Sequence, residues 1–372
     1  LNYCTFGYTM PWWGWTEWER FIDWMALQGV TMPLAITGQE AVWQRVWTRL
    51  GLSDEEVRAY FTGPAHLPWH RMSNIDRWQG PLPEEWIDGQ LALQQRILAR
   101  ERELGMKPVL PAFAGHVPQE LKRLHPDARI TRVSYWGGFD DRYRCSFLDP
   151  MDPLFAVIQR EFLTEQTRLF GTGHIYGADP FNEIDAPTWD PETLAGMSRH
   201  IYESMAEVDP EAVWLQMGWL FYADPTHWTA ENIRAFLGAV PQDRLLMLDY
   251  FCEFTEIWKQ TEKFHGQPYL WCYLGNFGGN TMLSGNFHTV SARMEDAFAH
   301  GGDNLRGVGS TLEGFGVNQF MYEFVLDKAW NTGIADDEWI ARLADRRTGF
   351  RDPAARTGWR TLCDSVYTLP AQ

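Results

Sequence analysis

The sequence predicts an α/β protein, a (β/α)8 TIM barrel with long catalytic-face loops and a short helical C-terminal tail. Three observations carry that expectation. Short apolar, strand-like runs alternate with helical patterns along most of the 372 residues, as in repeated βα units on a parallel sheet. Eight such runs can be counted, the number a closed barrel requires. No Gly-rich phosphate loop follows the first run, which weighs against a doubly wound nucleotide-binding sheet.

Taken in order, the first strand is expected at Tyr3–Tyr8, where the chain is apolar and aromatic, with a helix at Trp15–Gln28. The second, Val30–Ile36, lies between Gly29 and Gly38 and precedes a helix at Glu40–Leu50. A long irregular stretch, Thr62–Pro83, is punctuated by Pro and Gly and leads into a helix at Glu84–Leu104. The third strand is Pro108–Ala114, and a second irregular stretch, His125–Pro153, separates it from a helix at Leu154–Phe170. Both long loops follow strands, which suits insertions on a catalytic face. The fourth strand, His174–Phe181, is followed by a helix at Glu192–Val208. Strands five to eight are Ala212–Leu220, Leu245–Phe251, Tyr269–Leu274 and Leu305–Thr311, and a helix at Gln319–Trp330 closes the series. From Ala335 the texture becomes helical, with Arg346-Arg347 and Pro353. The expected organisation is a catalytic barrel over 1–334 and the start of a truncated helical C-terminal domain over 335–372.

Composition narrows the functional classes. Hydrophobic residues at 45% and charged residues at 22% allow a sizeable core and exclude global disorder. Lys+Arg 32 against Asp+Glu 49 leaves a formal charge of −17, which repels phosphate backbones and argues against nucleic acid as a partner. There is no run of 18 apolar residues, so no membrane span is expected. Five cysteines, an odd number without a CxxC pair, make a disulfide scaffold or a zinc ribbon poor readings. No Asn-x-Ser/Thr acceptor occurs, and the opening Leu1-Asn2-Tyr3-Cys4 reads as a piece of a longer protein. The 20 Trp suit sugar faces and protein cores equally.

Chemistry in a barrel sits where strands end. The fourth strand ends in Asp179-Pro180-Phe181-Asn182-Glu183 and the eighth in Ser310-Thr311-Leu312-Glu313-Gly314. Two carboxylates at strand ends on opposite sides of a barrel are what glycosidic cleavage needs, and Asn182 can hold a sugar hydroxyl or N-acetyl group. Each glutamate alone reads equally as a rim ion pair. The seventh strand continues into Asn276-Phe277-Gly278-Gly279-Asn280, whose glycines permit a tight turn or a close approach to a ligand. Trp219 and Tyr250, at strand ends, and Trp69 and Trp136, in the long loops, can stack on a pyranose. Trp12, Trp13, Trp18, Trp24, Trp43 and Trp47 are expected to be packing residues. His66 and His70 have i, i+4 spacing, but Pro68 between them argues against one helical face. No His-Glu-x-x-His zinc motif and no Gly-x-Ser-x-Gly elbow occurs, so no metal and no cofactor is expected.

At these residues the chain resembles the α-N-acetylglucosaminidases of glycoside hydrolase family 89. The similar stretches include Trp18-Glu19-Arg20, Asp23-Trp24-Met25-Ala26-Leu27, Gly38-Gln39-Glu40-Ala41-Val42-Trp43-Gln44-Arg45-Val46 and Phe61-Thr62-Gly63-Pro64-Ala65. The run from Pro108 to Pro118, His174-Ile175-Tyr176-Gly177-Ala178-Asp179, Phe181-Asn182-Glu183, Asn276 to Asn280 and Glu313-Gly314 complete the set. The resemblance implies a retaining exo-glycosidase that removes terminal, non-reducing α-linked N-acetylglucosamine from a glycan. It implies Glu183 as acid/base and Glu313 as nucleophile, with Asn2, Cys4, Trp69, Asn182, Trp219 and Tyr250 lining the sugar pocket. Gly275 and Thr311-Leu312 depart from the family pattern, which often has His and can have Ala-Pro there. The family also implies flanking domains, with lysosomal members in animals and a secreted or periplasmic location for bacterial ones. Two rivals stand beside this reading: a substrate-assisted N-acetylhexosaminidase, for which Asp140-Asp141 is the only acidic pair in a plausible loop, and a non-catalytic N-acetylglucosamine-binding barrel.

Overall fold

A computed structural model describes residues 1–275, 277–278, 280, 283–316 and 318–370. The described strands are β1 (Leu110–Pro111), β2 (His116–Val117), β3 (Ile130–Arg132), β4 (Ser146–Leu148), β5 (Ile175–Gly177), β6 (Val213–Met217), β7 (Leu245–Asp249), β8 (Tyr269–Tyr273) and β9 (Leu305–Ser310). Six of them form one sheet in the order β1-β5-β6-β7-β8-β9, and every pairing in it is parallel. Helices separate successive strands, so the α/β barrel expectation stands.

The first two expected strands are where the structure differs. Tyr3–Tyr8 is not a strand: Thr5–Tyr8 is a helical turn. The Asn2 side-chain oxygen accepts from the backbone N–H of Cys4 at 2.7 Å and of Thr5 at 3.3 Å. That local bond turns the chain before a ladder can form, a known competitor of extended structure. The backbone of the first two residues reaches β9 and the segment after it, Leu1 N bonding Ser310 O at 2.8 Å and Asn2 N bonding Leu312 O at 3.3 Å. Val30–Ile36 runs parallel to Lys107–Val109 but contributes a single bridge, Leu34 to Val109. Pro33 supplies a carbonyl to Val109 N and has no N–H to return, so the ladder is interrupted there.

Both stretches read as irregular contain structure. The first holds a 3-10 turn, Pro64–His66, and a helix, Leu67–Arg71; Pro68 occupies its first turn, where a missing N–H costs nothing. The second holds β3 and β4, which pair antiparallel with each other and with β2 as a three-stranded flap. The helix Asp54–Tyr60 also escaped the sequence reading.

The core is aromatic. Trp47, Trp214, Trp271 and Trp339 are fully buried, and Trp43 stacks on Phe162 with ring centres 4.0 Å apart. Trp12, expected to pack, is 69% exposed. All five cysteines are buried and free. An apolar cavity of about 590 Å³ lies between the Thr31–Leu34 segment and β9, lined by Leu34, Leu215, Leu248, Leu270 and Val308 with Asp179 and Tyr250 among its polar residues. The helices Asp336–Thr348 and Pro353–Cys363 pack onto Gln319–Trp330, where Phe320 stacks on Trp359 at 5.4 Å and meets Trp339 edge-on at 5.4 Å. None of the described helices is long and apolar enough to cross a membrane.

Candidate active site

The segment after β5 is fixed before it reaches Glu183. Asp179 accepts from Met217 N at 2.7 Å and Gln216 Nε2 at 3.2 Å, tying the strand end to β6, and Tyr3 Oη donates to its other oxygen at 3.1 Å. Phe181, packed against Phe147 of β4, has φ +62°. A left-handed backbone at a bulky residue is strained and persists only where its surroundings enforce it. Beyond that turn Asn182 is buried and Glu183 is exposed. The Glu183 carboxylate accepts two hydrogen bonds on one oxygen, Oε2, from Asn74 Nδ2 at 2.9 Å and from Trp136 Nε1 at 3.1 Å.

Glu313 lies three residues beyond β9. Thr311 N bonds Tyr273 O at 3.0 Å and Thr311 Oγ1 bonds Tyr250 O at 2.8 Å. Leu312 O takes Thr5 Oγ1 at 2.5 Å. Glu313 Oε2 accepts the backbone N–H of Gly278 at 2.6 Å. Burial pushes its carboxyl above the usual range and the Glu183 charge adds to the push, while Gly278 N–H, Asn2 and Cys4 pull it down. The Cys4 thiol is pushed up by its own burial and by the charges of both Glu313 and Glu183. The two glutamates therefore share one electrostatic neighbourhood.

The other expected pocket residues converge there. Asn2 Nδ2 donates to Tyr250 Oη at 2.6 Å and to Thr311 O at 2.9 Å. Trp219 meets Tyr250 edge-on at 5.6 Å and Phe277 at 6.0 Å. Trp69 meets Tyr8 edge-on at 5.3 Å, and Tyr8 feels the charge of Glu313. Asn182 borders a small polar cavity of about 50 Å³ with Tyr3, His70, Ser73 and Asp179. Asn276 and Gly279 lie outside the described residues, while Gly278 touches Glu313 as stated. Asp141 is taken up by Arg144 at 2.9 Å and by Tyr135 at 3.3 Å, so the Asp140-Asp141 pair is engaged within its own loop. Asn74, Tyr8 and the Tyr3–Asp179 pair were missed. They lie on turns, where no periodicity marks them, and only the density of polar residues in Ser73-Asn74-Ile75-Asp76 hints at Asn74.

Among the described residues, two groups of side chains have metal-ligand chemistry. Asp185, Asp224 and His227 form one on the surface; His70, Asp76 and His116 form the other, with ligand atoms within 4.8 Å of one another. In the buried group the point of convergence is itself an atom. Asp76 Oδ1 lies 3.0 Å from His70 Nδ1, 2.8 Å from His116 Nε2 and 3.4 Å from Cys145 Sγ. His116 and Cys145 make hydrogen-bond contacts to that shared acceptor and His70 lies beside it without hydrogen-bond geometry, and the nearby imidazoles hold Asp76 down to about 2 against its burial. The cluster reads as a clamp.

Glu183 is exposed and accepts side-chain N–H donors; Glu313 is half-buried, accepts a backbone N–H and is pushed up. Environments that differ in this way are how one site can run acid, base and nucleophile chemistry with two identical side chains.

Comparison with known proteins follows the same line. A family model for the α-N-acetylglucosaminidase (NAGLU) TIM-barrel domain matches residues 1–332. A human protein described as α-N-acetylglucosaminidase is 47% identical over 374 aligned residues, covering 100% of this chain and 50% of its own length. A family 89 glycoside hydrolase from Clostridium perfringens, in complex with a 2-acetamido-dideoxynojirimycin, superposes with a TM-score of 0.89 at 29% identity, over 100% of this chain and 41% of that one. The Clostridium perfringens protein with two Glu→Gln replacements, in complex with its substrate GlcNAc-α-1,4-galactose, gives a TM-score of 0.88, 29% identity and coverage of 98% and 40%. The chain thus spans about half the length of the curated relative it matches.

Proposed function

The chain belongs to the α-N-acetylglucosaminidase family of glycoside hydrolases, and from that premise we propose that it forms the catalytic barrel of a retaining exo-enzyme releasing terminal α-linked N-acetylglucosamine. The observation that carries the reading is the pair Glu183 and Glu313, set on the segments that follow β5 and β9, with Glu313 in range of the Glu183 charge. In the proposed reaction the Glu183 carboxyl gives its proton to the glycosidic oxygen as that oxygen leaves C1, and the Glu313 carboxylate bonds to C1. Water then attacks C1 and loses a proton to Glu183, and the Glu313–C1 bond breaks, so the sugar leaves with its anomeric configuration retained.

Surrounding groups support those roles. Burial raises the Glu313 carboxyl, and Gly278 N–H, Asn2 and Cys4 oppose that rise and favour the ionised form, the form that attacks. Trp69, Trp219 and Tyr250 offer aromatic faces for the sugar ring, and Asn182 offers a buried amide for its polar substituents. The Clostridium perfringens relative's complex with GlcNAc-α-1,4-galactose supports a GlcNAc-terminated glycan as substrate class. We take 1–334 as the catalytic barrel and 335–372 as the start of a helical unit that packs on the helix Gln319–Trp330.

The test is release of a chromogenic phenol from its α-N-acetylglucosaminide with the β anomer alongside, and proton NMR of the first product. Release from the α anomer alone, with α-sugar appearing first, is the expected result. Preference for β, or β-sugar from an α substrate, would overturn it. Glu313→Gln is expected to abolish turnover while substrate binding, followed by tryptophan fluorescence, stays within a few-fold of wild type.

A further inference from the structure

We propose that Asn74 is a positioning residue for Glu183: it fixes carboxylate Oε2, so that the proton exchanged in both half-reactions travels on Oε1. The inference rests on the acid/base reading of Glu183 given above.

An Asn amide nitrogen and a Trp indole nitrogen can only donate. Both donors reach the same Glu183 oxygen, Asn74 Nδ2 at 2.9 Å and Trp136 Nε1 at 3.1 Å, and together they occupy its acceptor directions. A proton on Oε2 would have to displace one of them, whereas Oε1 meets no such donor among the described residues. When Glu183 acts as acid, the Oε1–H bond breaks as the glycosidic oxygen takes the proton. When it acts as base, Oε1 takes a proton from water as the water oxygen bonds to C1.

Of the two donors, Asn74 is the fixed one. It is 2% exposed, while Trp136 is followed by the exposed Gly137 and Gly138 on the flap. The Asn74 backbone is held by Trp69 O at 2.8 Å, and Ser73 before it has φ +64°, a conformation that non-glycine residues adopt at a cost. Two residues later Asp76 is clamped by His116 and Cys145 with His70 alongside, and its N–H bonds Tyr143 O at 2.9 Å. The clamp pins the loop on the far side of Asn74. Meanwhile Asn74 Oδ1 is buried without a partner among the described residues. A buried amide with an unmatched carbonyl calls for an explanation. Turning it over would face two oxygens to each other at Glu183, so the amide nitrogen is kept for the carboxylate.

The readout is leaving-group dependence, because a good leaving group departs without a proton and a poor one does not. Asn74→Ala is expected to lower kcat/KM for an alkyl α-N-acetylglucosaminide at least ten-fold more than for the 2,4-dinitrophenyl one, with the affinity for free N-acetylglucosamine within two-fold of wild type. An equal loss on both substrates, or none, overturns the proposal. If Asn74→Ala does not fold, Asn74→Ser takes its place, being polar but too short to reach Glu183; loss of the fold in both marks Asn74 as structural and also overturns it. Glu183→Ala, assayed in parallel, separates the two readings. Without steep leaving-group dependence there, the acid/base reading itself fails; with it there and not in the Asn74 variants, only the role of Asn74 fails.

Discussion

Glu313 and Cys4 show how little separates a packing contact from a functional one. The Cys4 thiol is buried among groups that push its pKa up, so it stays a thiol and donates to Glu313 rather than acting as a second anion. Burial raises Glu313 and this donor opposes the rise, so removing it makes the carboxyl harder to ionise. Cys4→Ala is therefore expected to move the acidic limb of the kcat/KM profile to higher pH and leave the alkaline limb in place; a pH–rate series on the aryl α-N-acetylglucosaminide checks it. Glu183 and Glu313 stood out in the sequence as a pair of carboxylates just past apolar runs, although each alone reads equally as a rim ion pair. Asn74 did not, since its role depends on a loop conformation set by partners far away in sequence. The departure at Gly275 has a physical reason only three dimensions show. Its φ is +90°, and a Cβ there would lie 2.3 Å from the Tyr322 hydroxyl, which itself bonds Leu274 O at 2.9 Å. A larger residue needs Tyr322 to move.

At the level of elements, periodicity located six helices, from Trp15–Leu27 to Gln319–Trp330, to within two residues at each end, and missed Ala230–Gly238 and Phe287–His300. It failed where a single side chain or proline decides the local path, as Asn2 and Pro33 do. The helix Asp54–Tyr60 carried a signature that short apolar spacing obscured. Ser53 Oγ accepts from Glu56 N at 3.2 Å and the Glu56 carboxylate accepts from Ser53 N at 2.9 Å, a capping box. Ser53→Ala is expected to destabilise the protein by about 1 kcal/mol in urea denaturation. A larger effect is expected where the helices Gln39–Arg49 and Leu67–Arg71 are joined by Arg71 and Glu40. Both are almost fully buried and make two bonds of 2.8 Å. Arg71→Leu strands a buried carboxylate and should cost about 3–5 kcal/mol, while Glu40→Leu combined with Arg71→Leu should recover most of it. A double-mutant cycle by denaturation measures both. The cost also bears on function, because the second of these helices leads directly into the loop that carries Asn74.

At the scale of the molecule, the barrel was legible because alternating strands and helices admit few topologies, and its closure was not, because the first two staves rely on isolated bonds. Charge was legible only as a sum. A net −17 says nothing about four carboxyls that burial pushes up: Glu101 to about 8, and Asp179, Asp249 and Glu253 to about 7. Glu101 is the clearest, wholly buried on the helix Glu84–Glu103 with no partner for either oxygen among the described residues. Its folded form holds a proton that the unfolded chain releases near 4.5. The stabilising effect is complete below that value and is lost as pH rises through about 8. The protein should therefore lose stability from mildly acidic to mildly alkaline pH, with Asp76 opposing only near its own titration at about 2. Each tenfold difference in proton affinity between the folded and unfolded chain corresponds to ~1.4 kcal/mol, so Glu101 alone accounts for a fall on the order of 3 kcal/mol between about pH 5 and pH 8. Glu101→Gln keeps the shape and removes the ionisation. Urea denaturation of the two proteins at about pH 5 and pH 8 should show the wild type falling further, and equal falls would mean that Glu101 is already ionised in the folded barrel.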